Sequence, residues 1–154
     1  MNGFLRACLI SGAAAGLLSH VAASICSSRE RKRSDLPMHA VSHIAWGDQP
    51  EDHDGNDKSD WAIGSLLHHG ASIFWAFFFE TLFGKRAERS TTAALAGGAT
   101  IATTAYITDY HVVSDRFKPG FEAHLSDRSL FLVYAALALG LAAGARLRHV
   151  VRPD

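Results

Sequence analysis

The sequence predicts an all-α integral membrane protein: a four-helix bundle with a short interfacial helix and an ordered loop on its outer side. Charged side chains gather in a few short stretches of the 154-residue chain and leave four apolar segments, at about 3–25, 61–83, 91–109 and 129–147. Each approaches the length that crosses ~30 Å of hydrocarbon at ~1.5 Å per residue. A single domain of this size has too small a core to bury four helices that are apolar all round, which weighs against a soluble bundle.

The first segment carries Gly12 and Gly16 in a small-xxx-small spacing that suits close helix packing. A cleaved signal peptide is the alternative, with Arg6, an apolar run and small residues at 22–24, but the run is longer than the usual signal core. Cys8 and Cys26 lie on this one helix, about 27 Å apart at the usual rise, so they cannot pair within it and read as small packing residues. The polar loop 27–60 opens with a basic knot of Arg29, Arg31, Lys32 and Arg33. Residues 36–47 hold no Asp, Glu, Lys or Arg and are too short to span, so they read as an interfacial helix or loop with Trp46 at headgroup level. Asp52, Asp54, Asn56 and Asp57 suggest a calcium loop at first sight. The turn glycine is displaced, however, and the twelfth position is Ile63 where a bidentate Glu belongs, so the stretch reads as a solvated loop.

The second segment ends at the basic turn 84–89 and the third follows at once, which predicts an antiparallel hairpin. The connection 110–128 contains Pro119 and Gly120, and Ser126 or Asp127 can cap the fourth segment. That segment carries Gly140 and Gly144, a second small-xxx-small pair, before Arg146, Arg148 and Arg152. A formal charge of zero gives no case for a nucleic-acid partner. Lys85, Arg86, Arg89 and the last arginines favour a cytoplasmic side for both termini, although the whole-chain count of seven Lys/Arg inside against eight outside adds no support.

An antiparallel bundle brings His20, His39, His43, His53, His68, His69, His111 and His124 to one side and leaves only His149 opposite, eight of nine histidines. His39 and His43 share a helical face if 37–46 is helical. His68 and His69 lie two turns into an apolar helix, where ionisable groups are costly and face protein or water. Adjacent helical residues diverge by ~100°, and His69, which shares its stripe with Ser72, Ala76 and Glu80, is expected to be the inward one. The expected site is His43, His68, His69, Asp109 and His111, able to hold a transition metal or pass protons. The alternative is that these groups are hydrogen-bonded ties between the outer loop and the helices. Glu80 is expected to pair with Lys85 or Arg86. No nucleophile arrangement, phosphate loop or HExxH is present, the histidines fall short of the clusters of membrane di-iron enzymes, and no haem is indicated. No catalytic residue is expected and no cofactor is required.

Ala40-Val41-Ser42-His43-Ile44-Ala45-Trp46-Gly47, then His68-His69-Gly70-Ala71-Ser72-Ile73-Phe74-Trp75-Ala76 with Glu80, then Asp109-Tyr110 followed by Arg116-Phe117-Lys118-Pro119-Gly120-Phe121-Glu122, form an ordered set of motifs that ends in 129–141. From about residue 36 onward this order resembles a group of small multi-pass inner-membrane proteins of proteobacteria, and the layout is similar to the YagU-type inner-membrane proteins. The resemblance implies location and architecture and no catalytic mechanism. The composition of 116–122 predicts an ordered cap over the bundle that packs against 36–47. The expected function is that of a non-enzymatic component of the lipid bilayer, an accessory subunit or a homo-oligomeric scaffold, with the Gly12/Gly16 and Gly140/Gly144 faces in close helix contact. The alternative is a metal- or proton-handling membrane protein that uses the outer histidines.

Overall fold

The computed structural model describes residues 3–47 and 57–151, and these are helices and the turns that join them, with no strand among the described residues. In chain order they are α1 (Gly3–Arg31), α2 (Leu36–Trp46), α3 (Asp57–Leu82), α4 (Gly84–Arg89), α5 (Thr91–Ile107) and α6 (Asp127–Val151). Between α5 and α6 come a π-helical turn, Thr108–Val112, and two 3-10 turns, Asp115–Phe117 and Phe121–Ala123. Most of the calcium-like stretch, with His53, lies outside the described residues.

Three helices, α1, α3 and α6, are long and apolar enough to cross a membrane by length and composition. Their outward faces agree. Leu17, Leu66, Phe74, Phe131 and Leu139 are each more than half exposed, a surface that is a liability in water and is matched by hydrocarbon. The shorter α5 has 17 residues. Thr100, Thr104 and Thr108 each donate a hydroxyl to the carbonyl four residues earlier at 2.9 Å, which hides the polar group against the helix.

Local signals explain the boundaries. The first helix continues past residue 25 through the basic knot, because Arg29 and Arg31 in its last turn complement the negative end of the helix. Lys32 then closes it in the left-handed region, φ 62°, with its N–H on Ser28 O at 3.1 Å. Pro37 stands in the first turn of α2, where a missing N–H costs nothing. Ser90 caps α5 by accepting from the Ala93 N–H at 3.3 Å.

The packing order differs from the predicted hairpin. Although consecutive around the short α4, α3 and α5 touch at few points; α3 packs chiefly on α1 and α2, and α5 on α6. The central seam is α1 against α6. Glycine is the reason. A Cβ on Gly144 would stand 2.5 Å from Ser11 Cα, and one on Gly140 would overlap Ala15. On the other side of α1, a Cβ on Gly12 would stand 2.7 Å from Ile73 Cα, and Gly16 faces His69 and Ser72. Both small-xxx-small faces are therefore filled by helices of the same chain. Gly64 likewise lets the backbone of α2 at Met38 rest directly on α3. The core follows this plan. Much of it is alanine, including Ala15, Ala76, Ala94, Ala102 and Ala145, while larger side chains, Met38, Phe121, Leu125, Leu130 and Val133, cluster at the end that carries α2.

Candidate functional site

That end is closed by a cap which the sequence builds from polar ties. The Glu30 carboxylate, at the end of α1, accepts from the Ser126 N–H at 2.9 Å, from Ser126 Oγ at 2.7 Å and from Ser129 Oγ. This sets an anion at the start of α6, where helical N–H groups lack partners. Arg31 Nε donates to His124 O at 3.2 Å. Arg116 Nη2 donates to Ile44 O at 3.3 Å, near the end of α2, and Gly120, at φ 78°, lies against Ala40. Segment 116–122 thus packs on 36–47, as its composition predicts. On the same side Asp35 is held by Arg33 at 2.6 Å and by His39 at 3.1 Å. The Arg33 hydrogen bond lowers its carboxyl to about 2. Burial, reinforced by Arg31 and Arg33, lowers His124 below the usual histidine value.

Beneath the cap lies a cavity of about 250 Å³ between α3 and α6, which touch at few points. Leu67, Ala71 and Trp75 of α3 and Val133, Tyr134 and Leu137 of α6 form its walls. Val41 and Ile44 of α2 with Phe117, Pro119 and Phe121 close it above. Ser19, His68, Ser72 and Asp109 add polar groups.

The hydrogen bonds settle which of these groups remain available. Ser19 Oγ donates to Ala15 O at 2.7 Å, and His68 Nε2 lies 3.0 Å from Ser19 Oγ and 3.3 Å from Gly16 O. A carbonyl only accepts, so with Ser19 Oγ donating to Ala15 O these contacts assign the proton to Nε2 and leave Nδ1 as the acceptor of the neutral ring. Ser72 Oγ donates to His68 O at 2.9 Å. Tyr134 OH donates to Asp109 Oδ2 at 2.7 Å, and Oδ1 receives no hydrogen bond among the described residues. Asp109 sits in the π-helical turn, an irregularity that recurs at functional sites.

Of the five residues expected to form the site, His68 and Asp109 meet at this cavity. His69 turns inward against Gly16 of α1, outside this cavity, and keeps a buried Nδ1 with no hydrogen-bond partner among the described residues. His43 Nδ1 turns back to Ala40 O within α2, and His111 packs on the Tyr106 ring with centroids 5.8 Å apart. Among the described residues no three His, Cys, Asp or Glu side chains are arranged to hold a metal ion. Two participants escaped the sequence reading. The His20 ring lies 6.0 Å from His68 and 5.7 Å from His69, which are 5.6 Å from each other. Its position on the histidine-rich side was the available signal, but the rotation of α1 was not. Tyr134 was missed because a tyrosine on an apolar helix carries no mark of an aspartate partner 25 residues earlier.

Glu80 differs from its expectation too. Its partner is Arg148 of α6, whose Nη2 donates to both carboxylate oxygens at 2.8 and 2.7 Å, and Ser11 Oγ donates as well. With its side chain 3 % exposed, Glu80 is turned into the bundle, where a buried carboxylate requires a cation.

Together these features describe an all-helical protein with three helices long and apolar enough to cross a membrane and a capped cavity beside them. Compared with known protein families, with curated proteins and with solved structures, the chain matches none.

Proposed function

We propose that the chain is a multi-pass protein of the bacterial inner membrane and a non-enzymatic binding component that receives a small molecule in the capped cavity. In this reading α1, α3, α5 and α6 cross the bilayer, α2 lies at the outer interface, and both termini are cytoplasmic. The cavity carries the reading: apolar walls with a few convergent polar groups are the usual makeup of a ligand site. The hidden threonine hydroxyls of α5 support a fourth crossing despite its length. A second copy or an accessory partner would meet the outward faces of the helices, since both glycine pairs are filled within the chain.

Trp75 lines the cavity and reports on it in a Trp46→Phe, Trp61→Phe background, which removes the other two tryptophans. Titrating the detergent-purified protein with neopentylbenzene and with benzyltrimethylammonium should change Trp75 emission saturably for at least one of them. Ala71→Phe, which fills the cavity from one wall, should abolish the change. A linear response that Ala71→Phe leaves intact means partition into detergent and overturns the proposal.

The imidazoles of His20, His68 and His69, with ring centroids within 6.0 Å of one another, favour a second reading, proton handling. It requires a response of the protein between about pH 5 and 7, where histidine titrates, that His20→Gln removes; a flat profile ends it.

A further inference from the structure

We infer that the occupant of the capped cavity is a lipophilic organic cation, an ammonium group on a small apolar body. The inference rests on the cavity being a binding site. The protons of the polar wall are already committed. Tyr134 OH is given to Asp109, Ser19 OH to Ala15 O, Ser72 OH to His68 O, and His68 Nε2–H to Gly16 O and Ser19 Oγ. What the polar wall still offers is the Oδ1 lone pairs of Asp109 and the Nδ1 lone pair of His68. Both are acceptors. A carbonyl, carboxylate or phosphate entering here would meet no free donor among the lining side chains, the Tyr110 hydroxyl, unpartnered among the described residues, lying beside Tyr134 and outside the lining, and its desolvation would go uncompensated.

Charge gives the same answer. Asp109 has a tyrosine partner and no ion-pair partner among the described residues, while the neighbouring cations of the cap are engaged elsewhere: Arg116 on Ile44 O and Lys118 on Asp115 at 2.6 Å. Within apolar walls a carboxylate without a counter-ion favours its neutral, protonated form, and a cation beside it is what holds it ionised. The aromatic lining supplies the remainder. Trp75, Phe117, Phe121 and Tyr134 all contribute to the cavity surface, and aromatic faces around one carboxylate are the recognition chemistry of alkylammonium ions. A divalent metal ion would require more oxygen or nitrogen ligands than meet here. A cavity of about 250 Å³ suits a body of one ring. A lipid headgroup bearing the same ammonium brings a phosphate beside it, for which the cavity has no donor, so the free cation is the favoured source.

Benzyltrimethylammonium and neopentylbenzene have the same shape and differ in a charged nitrogen against a quaternary carbon. Calorimetric titration of the full chain in detergent should give the ammonium a Kd at least about ten-fold lower than the hydrocarbon's. Asp109→Asn, which keeps an acceptor for Tyr134, should erase that preference, and an unchanged far-ultraviolet circular dichroism spectrum shows that the variant is folded. Phe121→Leu, which removes one aromatic face from the lining, should lower the preference by a smaller factor and stands in if Asp109→Asn does not fold. Equal affinity for the two probes overturns the cation inference and leaves the cavity reading intact. Binding of neither overturns both. An ammonium preference untouched by Asp109→Asn places the cation elsewhere and overturns the assignment. Dihexanoyl phosphatidylcholine should fail to displace the bound cation; displacement assigns the site to a lipid headgroup and overturns the free cation as its source.

Discussion

The seam between α1 and α6 and the gap between α3 and α6 share a helix, yet one is closed and the other stands open. Along the seam Gly140 and Gly144 meet Ala15 and Ser11, small on small, with no room for another methyl group. Beside the gap the glycines of α5 are already taken: Gly97 receives the Phe83 ring and Gly98 lies on the Ala138 carbonyl of α6. What α3 offers in return is Trp75 and Phe79, whose bulk holds a neighbouring helix away. Close approach is thus a property of the pair of faces and not of either helix alone. The protein places its rigidity on one side and its cavity on the other.

The largest expected effect tests what ties the open side to the closed one. Arg148→Met strands Glu80 as a buried, unpaired carboxylate and should cost about 3–5 kcal/mol, read from unfolding in mixed micelles. The double variant Glu80→Met, Arg148→Met should recover most of that loss; a silent single variant would mean that the pair contributes nothing to holding α3 against α6. A smaller effect separates the two faces directly. Gly140→Val should cost about 1–3 kcal/mol through overpacking. Gly70→Ala on α3, where a Cβ meets nothing within 4 Å, should be neutral or stabilise by about 0.5–1 kcal/mol. Equal costs at the two positions would erase the contrast.

The smallest effect is a pH dependence confined to the cap. Asp35 titrates lower in the folded protein, at about 2 against 3.8, so its contribution is complete above 3.8 and lost as pH falls towards 2. His124 is lowered from 6.5 by burial, so its contribution is complete above 6.5 and lost as pH falls through its folded value. Hydrogen exchange, corrected for intrinsic rates, should show the amides of α2 opening on acidification while those around Gly140 do not. Loss of protection at both places would show that the cap and the seam open together.

Much of the fold was legible because hydropathy and caps are local. The basic turn 84–89 and the Ser126–Asp127 cap mark ends that the structure keeps within a few residues, and the glycine pairs announced close contact. Their neighbours were not legible, since spacing along one helix says nothing of which helix faces it. The same limit misdirected the reading of Glu80: nearness in sequence favoured Lys85 and Arg86, whereas burial selected Arg148, 68 positions away. At the candidate site, His68 and Asp109 were named but their companion Tyr134 was not. A hydroxyl pledged to a carboxylate across the bundle leaves no periodic trace.

The 17 residues of α5 extend about 25 Å, whereas the 29 of α1 extend about 43 Å. In the four-crossing reading the bilayer, ~30 Å thick in its hydrocarbon, has to pinch by about 5 Å along the α5 flank, at a fraction of a kcal/mol per ångström. Short-chain lipids should then collect there. Because Asp109 follows directly on α5, the same pinch draws the headgroup layer down toward the cavity and shortens the route by which a membrane-dissolved molecule reaches it.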